Sequence, residues 1–137
     1  MRSDRGSATI EYIGVVLALM VPIAYAVVAF TQVQSAQFGV VGAAQQAGRA
    51  YVNARSELYA QYAAVRAAAI AGRNHGVFID ATNVRIACEQ PPCLQPGTEV
   101  RVEVSARQPI PYAPWLGRIP LHATHRVFVD EFRASAE

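Results

Sequence analysis

The longest apolar run of the chain lies near the amino terminus, where no charged residue occurs between Tyr12 and Phe30. As an α-helix rising about 1.5 Å per residue, this run would span roughly 28 Å, close to the hydrocarbon thickness of a bilayer. A secretory signal peptide is the alternative, but its apolar centre is about 7–15 residues long and ends at a small-x-small site. Cleavage at the Ala-Tyr-Ala sequence inside the run would leave an apolar new end. The pattern therefore favours a transmembrane helix over residues 7–30.

The helical pattern continues beyond the apolar run, since no proline occurs between Pro22 and Pro91. Glutamines recur on one side of this stretch, and small or apolar residues recur on the other. The apolar side is expected to contain Val33, Phe38, Val41 and Ala44. Residues 31–76 are therefore predicted to form a helical region outside the membrane.

A second, amphipathic helix is predicted within this region, beginning near Asn53 or Ser56, either of which would cap its first turn. Its apolar stripe is expected to contain Leu58, Tyr62, Val65 and Ala69. The helix should end in the segment Gly72–Gly76, because Gly and Asn adopt the left-handed conformation that terminates helices.

The period changes from helical to alternating after residue 77, which is typical of half-buried antiparallel strands. The alternating residues are Val84, Ile86 and Cys88, then Val100, Val102 and Val104, then His125, Val127 and Val129. A proline-rich connection with Pro109, Pro111, Pro114 and Pro120 is expected to precede the last strand. Residues 77–137 are thus predicted to be a small β-rich head, and the fold class is α+β with a sheet of about three strands.

The distribution of arginine sets the expected orientation in the membrane. Arg2 and Arg5 precede the apolar run, whereas the first basic residue after it is Arg49. Because basic residues near a span stay in the cytoplasm, the amino terminus should be cytoplasmic and the head extracytoplasmic, in a single-pass protein of the plasma membrane. The formal net charge of +2 and the absence of a basic stripe with interleaved aromatics argue against nucleic acid as a partner.

Cys88 and Cys93 flank a Glu-Gln-Pro-Pro sequence in the expected tip of the first hairpin. Disulfides persist outside the cytoplasm, so the pair is predicted to be a disulfide. Zinc is the alternative, with His122 and His125 as further ligands, but their spacing is shorter than usual for a zinc site. We expect no metal and no cofactor.

One carboxylate, Glu11, lies at the start of the apolar run. An ionisable group inside a membrane segment is costly and is a functional hypothesis by default, although a side chain near the end of a span can also extend to the headgroups and do nothing more. Glu11 would be the fifth residue of a chain cut after Gly6. A short charged leader, Gly, four residues, Glu and an apolar helix resembles the prepilin processing signature of type IV pilins.

The aromatic Tyr12 after the glutamate narrows this resemblance to TadE-like proteins of the tight-adherence (Flp-type) pilus assembly system. Two further stretches are similar to that family, the Ala-rich segment 43–50 with its Gly-Arg-Ala step and the ending Val-Phe-Val-Asp-Glu-Phe at 127–132. The resemblance implies a leader over residues 1–6, cleaved by a prepilin peptidase between Gly6 and Ser7. It also implies a minor pilin-like subunit whose partners are other pilin-like subunits and the assembly platform in the membrane.

Physical chemistry gives Glu11 a role in such an assembly. A carboxylate and a freed amino terminus are each costly in a low-dielectric environment, and can neutralise each other between neighbouring subunits. Small residues four apart would let helices approach closely, and the pairs are Gly14 with Ala18 and Gly39 with Ala43. The alternative is that Gly and Ala are simply common in such helices.

No sequence motif for a nucleophile, a metal protease or a phosphate-binding loop is present, so a hydrolase is the least favoured function. The runner-up to the pilin-like subunit is a membrane-tethered extracellular binding module that is not polymerised. Trp115 lies in the proline-rich connection, where an exposed aromatic would contact a partner. We expect it instead to fill the small core, because a head of this size needs large apolar residues inside.

Overall fold

Two helices precede three strands in the computed structural model, which describes residues 7–132. The helices are α1 (Ser7–Val52) and α2 (Glu57–Arg73), and the strands are β1 (Val84–Cys88), β2 (Glu99–Pro109) and β3 (Arg118–Phe128). Two short 3₁₀ turns, Ala81–Asn83 and Pro114–Leu116, precede β1 and β3. The expected α+β class, the long apolar helix, the second helix and the three-stranded sheet are confirmed.

The chain forms two compact units, residues 1–32 and 33–137. In the described part of the first unit, α1 carries large apolar side chains that are exposed, among them Leu17, Val21 and Phe30. Pro22 lies inside the helix without ending it. By length and composition α1 is the one described helix able to cross a membrane.

The second unit contains an antiparallel sheet in the order β1-β2-β3. Val84 pairs with Val104 and Cys88 with Val100, while Glu99 pairs with Phe128 and Pro109 with Arg118. The alternation along β2 places Val100, Val102 and Val104 in the core. The alternation predicted for β1 and β2 is therefore confirmed, whereas β3 runs from Arg118 to Phe128, so it begins earlier than predicted and Val129 follows it.

The proline-rich connection is shorter than predicted, because Pro109 ends β2 and Pro120 lies inside β3. Only residues 110–117 are outside the strands. Pro120 is tolerated because β3 is an edge strand, and a residue there can lack an N–H on the side that faces no other strand. Gly117, with φ of 125°, turns the chain into β3 in a conformation that favours glycine.

The prediction of the buried side of α2 is wrong for Leu58 and Tyr62, whereas Val65 is half-buried and packs against the core. Leu58 is 88% exposed and Tyr62 58% exposed, whereas the buried residues are Ala60, Ala64, Ala68 and Gly72. A Cβ on Gly72 would lie 2.8 Å from the carbonyl oxygen of Val77, so the chain after the helix returns directly over this face. Small side chains are buried because they permit that close approach.

The second part of α1 shows the same rule. Phe38, expected on the apolar side, is 67% exposed. The buried apolar side chains of this part are Ala36, Val40, Ala43, Ala44, Ala47 and Tyr51. A Cβ on Gly48 would lie 3.1 Å from His125 Cδ2 and 3.2 Å from Val127 Cγ1, so α1 packs closely on the inner face of the sheet.

The ends of α2 follow the prediction in part. Ser56, not Asn53, is the N-cap, and its side chain accepts a hydrogen bond from the Tyr59 N–H at 3.4 Å. At the other end Asn74 keeps a right-handed conformation, and Gly76 supplies the positive φ of 71°. Glycine, which lacks a Cβ, therefore makes the left-handed stop.

Candidate functional site

The start of α1 carries the first of the residues that the sequence predicts to be functional. The proposed processing site falls at its boundary, since Gly6 and the leader 1–6 lie outside the described residues and Ser7 is the first residue of α1. One helical turn further on lie Glu11 and Tyr12, both exposed. The backbone positions of Ser7 and Glu11 are separated by about 6 Å along the helix axis.

The surroundings of Glu11 are apolar. Ile10 and Ile13 flank it, and both are exposed with it and with Tyr12. A lone carboxylate in this setting can accept hydrogen bonds or pair with a cation, and it can do so with a group of another chain because none of its neighbours covers it.

The small residues predicted for helix packing occupy two different environments. A Cβ on Gly14 would meet nothing within 4 Å, and Ala18 is exposed. Gly39 and Ala43 are buried inside the second unit, where a Cβ on Gly39 would lie 2.6 Å from His75 Cβ. The second pair therefore packs within its own chain, and Gly14 with Ala18 stays a prediction for contacts between chains.

The disulfide between Cys88 and Cys93 is present, with an S–S distance of 2.07 Å and a Cα–Cα distance of 5.4 Å. The Cys93 N–H donates to Oε1 of Glu57 in the first turn of α2. The loop between β1 and β2 is thus closed by a covalent bond and is hydrogen-bonded to the first turn of α2.

Zinc does not fit the four residues of the alternative site. Both cysteines are oxidised, and His122 and His125 leave opposite faces of β3 because they lie an odd number of residues apart. Among residues 7–132 no cluster of three or more His, Cys, Asp or Glu side chains is arranged to hold a metal ion.

Sequence reasoning missed a set of arginines on the outer face of the sheet, which we call the arginine face. Its members come from all three strands and are exposed: Arg85, Arg101, Arg107, Arg118 and Arg126. They belong to the alternate set of positions that point away from the buried valines. The alternation could be read from the sequence, but the register that brings the five side chains to one face could not.

Few acidic groups compensate the arginine face. Glu103 is opposite Arg85 in the register, and Glu99 Oε1 lies 3.6 Å from Arg126 Nε, the one ion pair within the described residues. Arg101 is directly opposite Arg126, an unfavourable like-charge pair. The face therefore carries a positive excess that an anionic partner would relieve.

A cleft of about 700 Å³ lies at one end of this face. Its walls include Phe78, Asn83, Arg107, Arg118 and His122, and no Asp or Glu is among its lining residues. Phe78 is exposed, so an aromatic side chain lines the cleft together with the two arginines. The cleft can hold an anionic group, with the arginines as donors in fixed, forked geometry.

Trp115 does not fill the core, contrary to the prediction. It is 78% exposed in the β2–β3 loop, residues 110–117, which we call the tip. Tyr112 and Leu116 of the same loop are also exposed, and only Ala113 is buried. The core consists mainly of valines and alanines, and Tyr51 is the aromatic side chain buried in it.

Comparisons of this chain with family models, with curated proteins and with solved structures find no match. The resemblance to TadE-like proteins therefore stays a prediction that depends on the residues quoted for it.

Proposed function

We propose that this chain is a minor, non-enzymatic pilin-like subunit of the TadE type, which acts in assembly or initiation of a tight-adherence pilus. In this proposal α1 spans the plasma membrane once near its start, with the amino terminus cytoplasmic and the head outside. A prepilin peptidase removes residues 1–6, and the partners are other pilin-like subunits and the assembly platform. The observation that carries the proposal is the single carboxylate of Glu11 in an exposed apolar helix, five residues after Gly6.

The position of Glu11 supports a role in assembly over passive contact with headgroups. An acidic residue costs about 2.5–3.5 kcal/mol at the centre of a membrane helix and less toward an end. Since α1 runs without interruption past Glu11, the carboxylate enters the lipid whenever the helix moves outward by a few turns. A freed nitrogen at Ser7 of a neighbouring chain would compensate it there, which explains why the two groups are needed together.

Processing is tested by the mass of the purified protein. Under the proposal the first residue is Ser7, and the Gly6→Leu variant keeps Met1 because the small residue at the cleavage site is lost. Gly42→Ala is a matched control, since a Cβ at that glycine meets nothing within 4 Å. An intact Met1 in the unaltered chain contradicts processing.

Assembly is tested with Glu11→Gln, which keeps the size of the side chain and removes its charge. We expect loss of surface filaments while the variant still reaches the membrane, whereas Glu89→Gln, a change of an exposed acid in the head, leaves them unchanged. Filaments sheared from cells producing Glu11→Gln are counted against the unaltered chain. Normal filament numbers overturn the assembly role.

The second candidate function is a membrane-tethered binding module, and the exposed side chains of the tip support it. A module of this kind needs no processing at Gly6 and no role for Glu11 in filaments. It predicts an intact Met1 and unchanged filaments in the two experiments above, so the same measurements separate the candidates.

A further inference from the structure

The tip gathers three large exposed side chains in a loop of eight residues, Tyr112, Trp115 and Leu116. Exposed apolar groups in a cluster of this kind mark contact surfaces more often than isolated ones do. Trp and Tyr in particular are the residues enriched where hydrocarbon meets lipid headgroups. Pro111 and Pro114 restrict the loop, which reduces the conformational entropy lost when it binds.

Positive charge surrounds the base of the tip. Arg107 and Arg118 lie on the two strands that enter and leave it, and both line the acid-free cleft. No Asp or Glu occurs anywhere between Glu103 and Asp130. A partner that meets the tip therefore meets cations immediately behind the apolar side chains, and its own charge should be negative.

This layered order matches a bilayer surface. An apolar group that enters the lipid passes the phosphates first, so the phosphates come to rest beside the residues just behind the apolar end. Trp115 and Leu116 would occupy the boundary with the acyl chains, and Arg107 and Arg118 the level of the phosphates, where arginine can bind phosphate oxygens through two parallel donors. The exposed Phe78 beside the cleft adds a further apolar contact.

We propose that the tip of the head inserts into the interfacial layer of an anionic bilayer, with Arg107 and Arg118 bound to lipid phosphates. This contact is separate from the membrane-spanning role proposed for the start of α1. It concerns the head alone and depends neither on processing at Gly6 nor on filament assembly, so either proposal can fail without the other.

The chain contains a single tryptophan, so tryptophan emission reports on the tip alone. The full chain is reconstituted in vesicles of phosphatidylcholine and in vesicles of equal parts phosphatidylcholine and phosphatidylglycerol. We expect a blue shift of Trp115 emission, quenching by brominated lipid and protection from acrylamide in the anionic vesicles only. Identical emission in both vesicles, with full quenching by acrylamide, overturns the proposal.

The arginines are tested by the double variant Arg107→Gln with Arg118→Gln, which retains the reporter. Each arginine near an anionic surface strengthens binding roughly fivefold, so the blue shift should require a markedly higher fraction of phosphatidylglycerol. Arg55→Gln with Arg73→Gln is the matched control, because both residues are exposed and lie outside the sheet and the cleft. Equal loss in the two double variants would show a dependence on net charge and contradict a local contact.

The apolar part is tested by Leu116→Ser, which leaves the arginines and Trp115 in place. We expect weaker quenching by brominated lipid, with the disulfide and the circular dichroism spectrum unchanged because Leu116 is exposed. Other occupants give different results, and each of them overturns the proposal. If the tip binds a second copy of the chain, Trp115 emission shifts in neutral vesicles as the protein-to-lipid ratio rises. If it binds a soluble polyanion, the emission shifts when dextran sulfate is added, without quenching by brominated lipid.

Discussion

The two parts of α1 use their side chains in opposite ways. In residues 8–32 the large apolar side chains are exposed, and a Cβ on Gly14 would meet no neighbour. In residues 33–52 the buried side chains are mostly alanines, and Gly39 and Gly48 approach other elements closely. One continuous helix therefore combines a segment that exposes large apolar side chains with a segment that builds part of a protein core.

Burial within the second part depends on the side of the helix and not on the size of the apolar side chain alone. Ala43, Ala47 and the large Tyr51 are buried while Phe38 is exposed, because nine residues place Phe38 on the opposite side of the helix from Ala47. In the first part the large apolar side chains are exposed and form a broad apolar surface.

The largest difference between the two parts of α1 is expected when one apolar residue in each part is replaced by a charged one. Val40→Asp puts a carboxylate at a fully buried position, which should destabilise the head by roughly 3–5 kcal/mol. Val21→Asp, at an exposed position of the first part, should leave the head folded and weaken membrane insertion by about 3 kcal/mol. Hydrogen exchange of the strand amides measures the stability of the head, and carbonate extraction measures membrane insertion. The comparison would be contradicted if Val40→Asp weakened only insertion and Val21→Asp unfolded the head.

A methyl group added to one glycine in each part should have a smaller effect. Gly39→Ala places a Cβ 2.6 Å from His75 Cβ, which should cost about 1–3 kcal/mol, offset in part by up to about 1 kcal/mol of helix propensity. Gly14→Ala should not change the stability of the head. Denaturant unfolding of both variants provides the measurement, and a neutral Gly39→Ala would show that the contact yields easily.

Removal of the cap of α2 tests how far the second part of α1 depends on the helix that shares its core. Ser56→Ala loses the hydrogen bond from the Tyr59 N–H and should lower the free energy of unfolding by about 1 kcal/mol. Ser105→Ala, at an exposed strand position, is the control and should change it little. Equal midpoints of denaturant unfolding for both would show that the cap contributes nothing.

The smallest effect is expected from alkaline pH. Burial raises the pKa of Tyr51, and the carboxylate of Glu57 adds to the rise. The phenol of Tyr51 loses its proton near pH 10 in the unfolded state and at a higher pH in the folded state. The contribution of Tyr51 to the stability is therefore constant below pH 10 and is lost as pH rises through the raised pKa. Tyr51→Phe should flatten this decline, as measured by denaturant midpoints over the alkaline range, and an unchanged slope would assign the decline to other groups.

The strands could be predicted from the sequence because alternation of valine with polar residues has a period that only a half-buried strand shares. The N-cap of α2 was among the predicted residues for a similar local reason, the preference of Ser for that position. Local chemistry of this kind leaves its mark within a few residues of the chain.

The packing faces of the helices and the arginine face could not be predicted, because both depend on register and distance between elements. Leu58 and Tyr62 fit a helical stripe, but the closeness of Val77 to Gly72 selects alanines for the buried side. Arg101 and Arg126 are far apart in the chain and become neighbours only through the pairing of β2 with β3.

The prolines that shorten the connection between β2 and β3 have a further consequence. Pro120 lies on the edge strand β3, and Pro109 ends the part of β2 that extends beyond β1. A residue without an N–H cannot donate to an incoming strand, and the nearby arginines repel a second copy of the same edge. Many such molecules crowded together would therefore resist joining their sheets into amyloid-like aggregates.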